Sequence, residues 1–168
     1  LEAELVPTSL TKSIQQATME ANSAFLGKTI NIKHSMPQQD VWVVADDFLT
    51  EVLYNLVTNS IKYDEHEEAV IDIEVKDVVF EGEDWVSVRV VDRGVGIPDD
   101  LKDKVFSRDY RKLARLDRPV LQKAKGAGMG LSIVHDLVDR YGGKIWVENR
   151  VYDDYTRGSV FNVLLRKP

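Results

Sequence analysis

Three stretches of the chain carry residues whose types and spacing could do chemistry. The first is a glycine-rich run, KGAGMGLSIV at residues 125–134, which leads into an amphipathic helical pattern. Glycine allows the backbone to approach another group closely, and a helix N-terminus presents unpaired N–H groups and partial positive charge. The run therefore predicts a site for a small anion such as phosphate, with an ordinary structural turn as the alternative.

The second stretch contains Asn55 and Asn59, which are one helical turn apart beside a predicted buried stripe. Residues four apart are neighbours on one face of a helix. Asparagine is a mediocre helix former because it competes for backbone hydrogen bonds. Two asparagines here have two explanations. Either this edge of the helix is solvated, or their amide oxygens bind a ligand or a hard cation such as Mg²⁺.

The third stretch is VDRGVGIP at residues 91–98, which follows a strand pattern. Asp92 shares the parity of Val86, Val88 and Val90, so its side chain is predicted to face the core. A buried carboxylate needs a partner. We expect either a ligand that donates a hydrogen bond to it, such as an exocyclic amine, or closure of the glycine turn by the carboxylate itself.

The periodicity of the remaining chain predicts the elements that position these stretches. A helix capped by Thr8 should end near Gly27, and a second should be capped by Asp46 or Asp47. Residues 64–69, including His66, are predicted to be a polar turn. A third helix should follow residue 130, and strands are expected at 30–32, 41–44, 71–75, 86–90, 145–147 and 160–165, with a hairpin turn at 81–84.

Composition bounds the class of protein. A chain of 168 residues that is 43% hydrophobic fits one domain, and the net charge of −6 argues against nucleic acid as the main partner. Residues 107–125 carry seven basic and two acidic side chains, which predicts a solvated loop or a local anion binder.

No apolar run reaches the roughly 20 residues of a membrane helix. Without a cysteine or a metal-ligand spacing of histidines, we expect no disulfide and no zinc site. Because Leu1 is not an initiator methionine, we expect a piece of a longer protein.

Taken together, the three stretches resemble the catalytic, ATP-binding domain of sensor histidine kinases, whose wider family includes the gyrase B subunit, MutL and the ninety-kilodalton heat-shock chaperone. Residues 55–63 (NLVTNSIKY) resemble the asparagine box of that family, and residues 92–97 (DRGVGI) its first glycine box. Residues 105–110 (VFSRDY) resemble its phenylalanine box, 126–132 (GAGMGLS) its second glycine box and 157–159 (RGS) its last.

The resemblance implies an α+β fold: a two-layer sandwich in which a mixed, mostly antiparallel sheet packs against about three helices, with a lid at 99–127. It implies that Asp92 accepts a hydrogen bond from the adenine amino group, and that Asn59 holds Mg²⁺ with assistance from Asn55. Lys62 would touch phosphate and, with the two asparagines, form the catalytic set, while Tyr63 would lie near the base. The other nucleotide contacts that it implies are Gly94, Gly96, Ile97, Tyr110, Arg111, Gly126, Ala127, Gly128, Met129, Gly130, Leu131 and Ser159.

Members of the family that hydrolyse ATP place a water-activating glutamate where this chain has Asn55. An amide cannot take a proton from water, so the resemblance favours transfer of the γ-phosphate to a histidine on a separate helical dimerisation domain, which this chain lacks. It implies a downstream response regulator, a cytoplasmic location with the parent either membrane-anchored or soluble, and no direct membrane contact from this segment. An anti-sigma-type serine kinase and a non-catalytic, nucleotide-gated interaction module are the alternatives.

Overall fold

The computed structural model describes residues 3–108 and 129–168. Predictions that concern residues 109–128, including most of the expected lid, lie outside the described residues. In chain order the elements are β1 (Val6–Ser9), α1 (Leu10–Ala24), β2 (Thr29–Ser35), β3 (Trp42–Ala45), α2 (Leu49–Lys62), β4 (Glu68–Phe80), β5 (Glu83–Val91), a short 3₁₀ helix (Asp99–Leu101), α3 (Met129–Arg140), β6 (Lys144–Val151) and β7 (Asp154–Arg166).

A five-stranded mixed sheet forms one layer of the described structure. Its strand order is β2-β4-β5-β7-β6, in which β2 is parallel to β4 and the other neighbours are antiparallel. Strands β1 and β3 form a separate antiparallel pair. Alternate residues of β4 and β5 are buried in one hydrophobic cluster with the apolar faces of the three helices. The predicted α+β sandwich is confirmed.

The prediction that Thr8 caps the first helix is wrong by one residue. Ser9 is the N-cap of α1, and its Oγ accepts a hydrogen bond from the Lys12 N–H at 3.1 Å. Thr8 belongs to β1 instead, where its hydroxyl donates to the Val6 carbonyl at 2.9 Å. The helix also ends at Ala24, earlier than the predicted Gly27.

The capping prediction for α2 is wrong as well, because the N-cap position is Phe48, which has no side-chain acceptor. Asp46 instead closes the turn before the helix: its Oδ1 accepts the Phe48 N–H at 2.9 Å and its carbonyl accepts the Leu49 N–H at 3.1 Å. The same Oδ1 accepts the hydroxyl of Tyr141 at 2.5 Å, and Oδ2 is paired with Arg140. This buried network ties the start of α2 to the end of α3.

The predicted antiparallel hairpin of β4 and β5 is confirmed, with a tighter turn than expected. Strand pairing continues to Phe80 and Glu83, so that the turn consists of Glu81 and Gly82 alone. Both have positive φ, 51° and 76°, which is the conformation that two-residue hairpin turns require. Strand β4 likewise begins at Glu68, inside the predicted 64–69 turn.

Residues 99–108 pack against the body of the domain. Leu101 and Val105 are buried in the core, and the ring of Phe106 lies 6.3 Å from that of Phe161 in an edge-to-face arrangement. The first residues of the predicted 99–127 lid are therefore part of the packed structure. The chain re-enters the described region at α3, where the glycine run ends.

Candidate functional site

A pocket lies where the end of α2, the loop after β5, the start of α3 and β7 meet. It encloses about 330 Å³ of space, counted together with the solvent at its mouth. The pocket is lined by Asn59, Tyr63, Asp92, Gly96, Ile97, Leu131, Ser159 and Phe161.

Asp92 is the charged group of this pocket, and it is buried as its strand parity predicts, with 6% of its surface exposed. Its Oδ1 accepts two backbone N–H groups, from Gly94 and Ser159, each at 3.0 Å. Its Oδ2 accepts the hydroxyl of Ser60 at 3.2 Å. One oxygen thus closes the glycine turn and holds β7, while the other has a single donor among the residues that the structure describes.

The surroundings of Asp92 disfavour its charged form. Burial raises the pKa of this carboxyl from 3.8 to about 6, although the hydrogen bonds from Gly94, Ser159 and Ser60 favour ionisation, and the nearby charge of Asp64 adds a smaller upward shift of the pKa. A carboxylate held at this cost inside a pocket is a functional-site candidate, because a ligand that donates a hydrogen bond would stabilise the ionised form.

The two asparagines of α2 lie on the side of the helix that faces α3. Asn59 is 8% exposed and lines the pocket. The Nδ2 of Asn55 donates to the Glu51 carbonyl at 2.9 Å and to Glu51 Oε1 at 3.2 Å. This leaves the oxygen of Asn55 directed at Gly130, where an added Cβ would lie 2.8 Å from it. Glycine at position 130 lets α3 start beside α2.

Close backbone approach also shapes the loop after β5. A Cβ on Gly96, whose φ is 75°, would collide with the carbonyl of Tyr155 in β7. A Cβ on Gly158, with φ of 108°, would collide with the backbone at Asp92 and lie 2.8 Å from the Cα of Arg93. The hairpin of β6 and β7 therefore sits directly on the loop that carries the pocket carboxylate, which only bare backbone allows.

The structure brings together seven of the sequence-predicted binding residues as pocket lining: Asn59, Tyr63, Asp92, Gly96, Ile97, Leu131 and Ser159. Asn55 and Gly130 lie against each other, and Lys62 is exposed at the end of α2. Gly94 does not line this pocket but packs against Tyr63, whose carbonyl would be 2.8 Å from an added Cβ. Met129 is the first residue of α3. Predicted contacts outside the described residues are Tyr110, Arg111, Gly126, Ala127 and Gly128.

Sequence reasoning missed one lining residue, Phe161. It lies two positions after Ser159 on β7 and therefore on the same face of the strand. That parity is a usable signal, but an aromatic residue in an apolar strand is equally typical of a core position. Phe161 is 1% exposed, so it belongs to the core, and it also lines the pocket.

Residues 44–168 match the family described as Histidine kinase-, DNA gyrase B-, and HSP90-like ATPase. The match covers well over half of the chain, so the chain belongs to this family, as the resemblance of its sequence boxes predicts. An ATP-binding domain of this class explains why a carboxylate, an asparagine and the start of a helix meet at one pocket.

Within the family, the similar proteins are sensor kinases. A sensor histidine kinase WalK of Bacillus subtilis is 35% identical over 117 residues, which are 68% of this chain and 18% of that protein. The catalytic domain of histidine kinase ThkA superposes with a TM-score of 0.76 at 30% identity, covering 99% of this chain and 100% of that one. ThkA in complex with the response regulator protein TrrA gives 0.71 at 27% identity, covering 98% and 42%. The chain is therefore a catalytic domain of the histidine kinase type.

The chain spans about a fifth of the length of the curated relatives it matches. None of the helices in residues 3–108 and 129–168 has the length and apolar character needed to cross a membrane.

Proposed function

We propose that this domain binds ATP with Mg²⁺ and transfers the γ-phosphate to a histidine on a separate helical dimerisation domain, from which a response regulator receives it. The observation that carries the proposal is the buried carboxylate of Asp92, which lines the pocket and whose Oδ2 has one donor, Ser60, among the described residues. An adenine amino group is a donor of the kind that this oxygen can accept.

The residues near the pocket fit a magnesium ion that is held mainly by phosphates and water. No cluster of three or more His, Cys, Asp or Glu side chains that could hold a metal exists among the described residues. Mg²⁺ is commonly bound through few protein oxygens together with substrate phosphates. The amide oxygen of Asn59 would hold the ion with that of Asn55 assisting, and the ion would neutralise phosphate charge.

The chemistry of position 55 favours transfer over hydrolysis. The amide of Asn55 cannot act as a general base toward water, and its Nδ2 is occupied by two hydrogen bonds to Glu51. What remains for the domain is orientation of the nucleotide and stabilisation of charge. We propose that Lys62, exposed at the end of α2, supplies charge to the phosphates.

The test mixes the domain with the helical dimerisation domain of its parent protein and labelled ATP. We expect acid-labile label on the helical domain that requires Mg²⁺ and is lost in Asn59→Ala. The matched control is Asn22→Ala, which removes an exposed asparagine from α1. Binding of ATP without transfer would indicate a nucleotide-gated interaction module, and acid-stable label would indicate a serine kinase. Full activity of Asn59→Ala would refute the metal assignment.

A further inference from the structure

A second pocket lies beside the nucleotide pocket and shares no lining residue with it. It is formed by the α2–β4 loop, the turn after β5 and the end of the β6–β7 hairpin, and encloses about 790 Å³ together with the solvent at its mouth. The proposed phosphotransfer uses none of its side chains. Its lining residues are Glu65, His66, Arg93, Gly94, Val95, Arg150, Thr156 and Arg157.

Three guanidinium groups converge on this pocket, and two of them, those of Arg150 and Arg157, form no ion pair within 4 Å in the described part of the chain. Arg93 is paired with Asp72, Nη2 to Oδ2, at 3.4 Å. Arg150 donates its Nε to the carbonyl of Arg157 at 2.7 Å, an interaction that leaves its charge uncompensated. Within residues 3–108 and 129–168, no carboxylate lies within 4 Å of the charged nitrogens of Arg150 or Arg157. Positive charges this close repel one another, and a bound anion would offset the repulsion.

The carboxylates near the pocket do not fill this role. Glu65 is an exposed loop residue that also lines the pocket and forms no ion pair within 4 Å with either arginine among the described residues. Asp154, on the same hairpin as the two arginines, directs its Oδ1 to the backbone N–H and hydroxyl of Thr156, at 3.1 and 2.5 Å. The hydroxyl of Thr156 lowers the pKa of the Asp154 carboxyl most and the charge of Arg157 adds to this shift, but Asp154 and Arg157 form no ion pair within 4 Å. The pocket therefore retains an excess of cationic donors.

A fourth donor group, the ring of His66, is held in place by a buried carboxylate. The side chain of Asp64 is fully buried, and its Oδ1 lies 2.7 Å from His66 Nδ1 and accepts the His66 backbone N–H at 2.9 Å. In the neutral ring this pairing puts the proton on Nδ1 and fixes the ring orientation, so Nε2 can donate to an anion only in the imidazolium form. The side chain as a whole is 68% exposed at the pocket.

We infer that this second pocket is an oxyanion site, which binds a phosphate or carboxylate group between Arg150, Arg157 and His66. The planar guanidinium fork matches both kinds of group in a bidentate manner. The oxyanion comes either from a small solute or from the acidic side chains of a protein, and the two sources are separated by experiment. The inference does not depend on nucleotide binding.

The test is a titration followed by nuclear magnetic resonance of the ring of His66 and the Nε groups of Arg150 and Arg157. Inorganic phosphate and pyrophosphate are the probes in one arm, and a hexaglutamate peptide is the probe in the other. We expect saturable shifts at these three side chains in at least one arm. Shifts confined to Leu131 and Ser159 would place the anion in the nucleotide pocket and overturn the inference.

Variants decide whether the site is specific. Arg157→Ala removes a side chain that makes no hydrogen bond within the described residues, and we expect affinity to fall at least tenfold, with a larger loss in R150A/R157A. The control K12A/K76A removes the same two charges from exposed positions of α1 and β4 and should change affinity less than twofold. Equal losses in both double variants, or no saturable binding of any probe, would overturn the inference. If R150A/R157A does not fold, Arg157→Ala alone decides.

Discussion

Replacing Asp92 with asparagine should stabilise the unliganded protein at neutral pH and weaken its binding of adenine nucleotides. Burial raises the pKa of Asp92 from 3.8 to about 6. At about 1.4 kcal/mol per pKa unit, the ionised carboxylate is disfavoured in the folded state by about 3 kcal/mol relative to the unfolded chain. Asparagine has no charge to desolvate, so it avoids this penalty.

The geometry around Asp92 suits the substitution. An asparagine Oδ1 can still accept the N–H groups of Gly94 and Ser159, and its Nδ2 can donate to the hydroxyl of Ser60, which is free to accept. The hydrogen bonds that close the turn and hold β7 are therefore kept. What is lost is the second oxygen, which is the acceptor that we propose for the adenine amino group.

The pH dependence follows from the direction of the shift. Because the folded-state pKa of Asp92 is above the unfolded value, its stabilising contribution is complete below about pH 3.8 and is lost as the pH rises through about 6. The free energy of unfolding of Asp92→Asn minus that of the wild type should therefore be near zero at pH 4 and should grow to as much as about 3 kcal/mol at pH 8.

Urea unfolding between pH 4 and 8 measures this difference, and calorimetric titration with ADP measures the loss of affinity. Asp103→Asn is the control, since it removes the same charge from an exposed carboxylate. A difference in unfolding free energy that is independent of pH, or a variant that is less stable than the wild type at pH 8, would refute the reasoning.

Three further substitutions test other parts of the structure. Gly96→Ala combines a positive φ with a collision against β7, so it should lower the free energy of unfolding, measured with urea, by at least about 3 kcal/mol. The control Gly27→Ala has a similar φ but no neighbour within 4 Å, so it should lower the same free energy by only about 1–2 kcal/mol. Tyr141→Phe removes a donor from the buried carboxylate that precedes α2 and should cost about 1–3 kcal/mol in the same measurement. Ser60→Ala removes the hydroxyl donor of Asp92 Oδ2, so the pH at which ADP affinity is halved should move upward in calorimetric titrations at pH 5–8; an unchanged midpoint would contradict the contact.

Local periodicity predicted the parts of the site that depend on one element at a time. Side chains alternate between the two faces of a strand, and this alternation along β5 predicted that Asp92 faces the core. The i, i+4 spacing predicted that Asn55 and Asn59 lie on one face of α2. Both predictions need only the geometry of a single helix or strand. Phe161 obeyed the same rule on β7, but nothing local distinguishes a core aromatic from one that also lines a cavity.

The errors arose where distant residues decide local structure. Ser9, and not Thr8, caps α1 because β1 pairs with β3 up to Ser9, and the next N–H, that of Leu10, donates to Val41 at 2.8 Å. The parallel pairing of β2 with β4 likewise depends on contacts across more than 35 positions, from Thr29 to Glu68. The local pattern predicts a cap at Thr8, and only the long-range pairing moves it to Ser9.

The two interpretations of Asp92 that the sequence leaves open, turn closure and ligand acceptor, use different oxygens of the same carboxylate. Oδ1 is committed to backbone N–H groups on two segments, so it fixes the position of the side chain without a ligand. Oδ2 has one hydroxyl donor and lies in a carboxylate that burial disfavours as an ion. A hydrogen bond from a bound nucleotide would replace part of the hydration that this oxygen lost on burial. The structural role thus explains why the carboxylate is rigid, and the disfavoured charge explains why a donor from the ligand would be bound tightly.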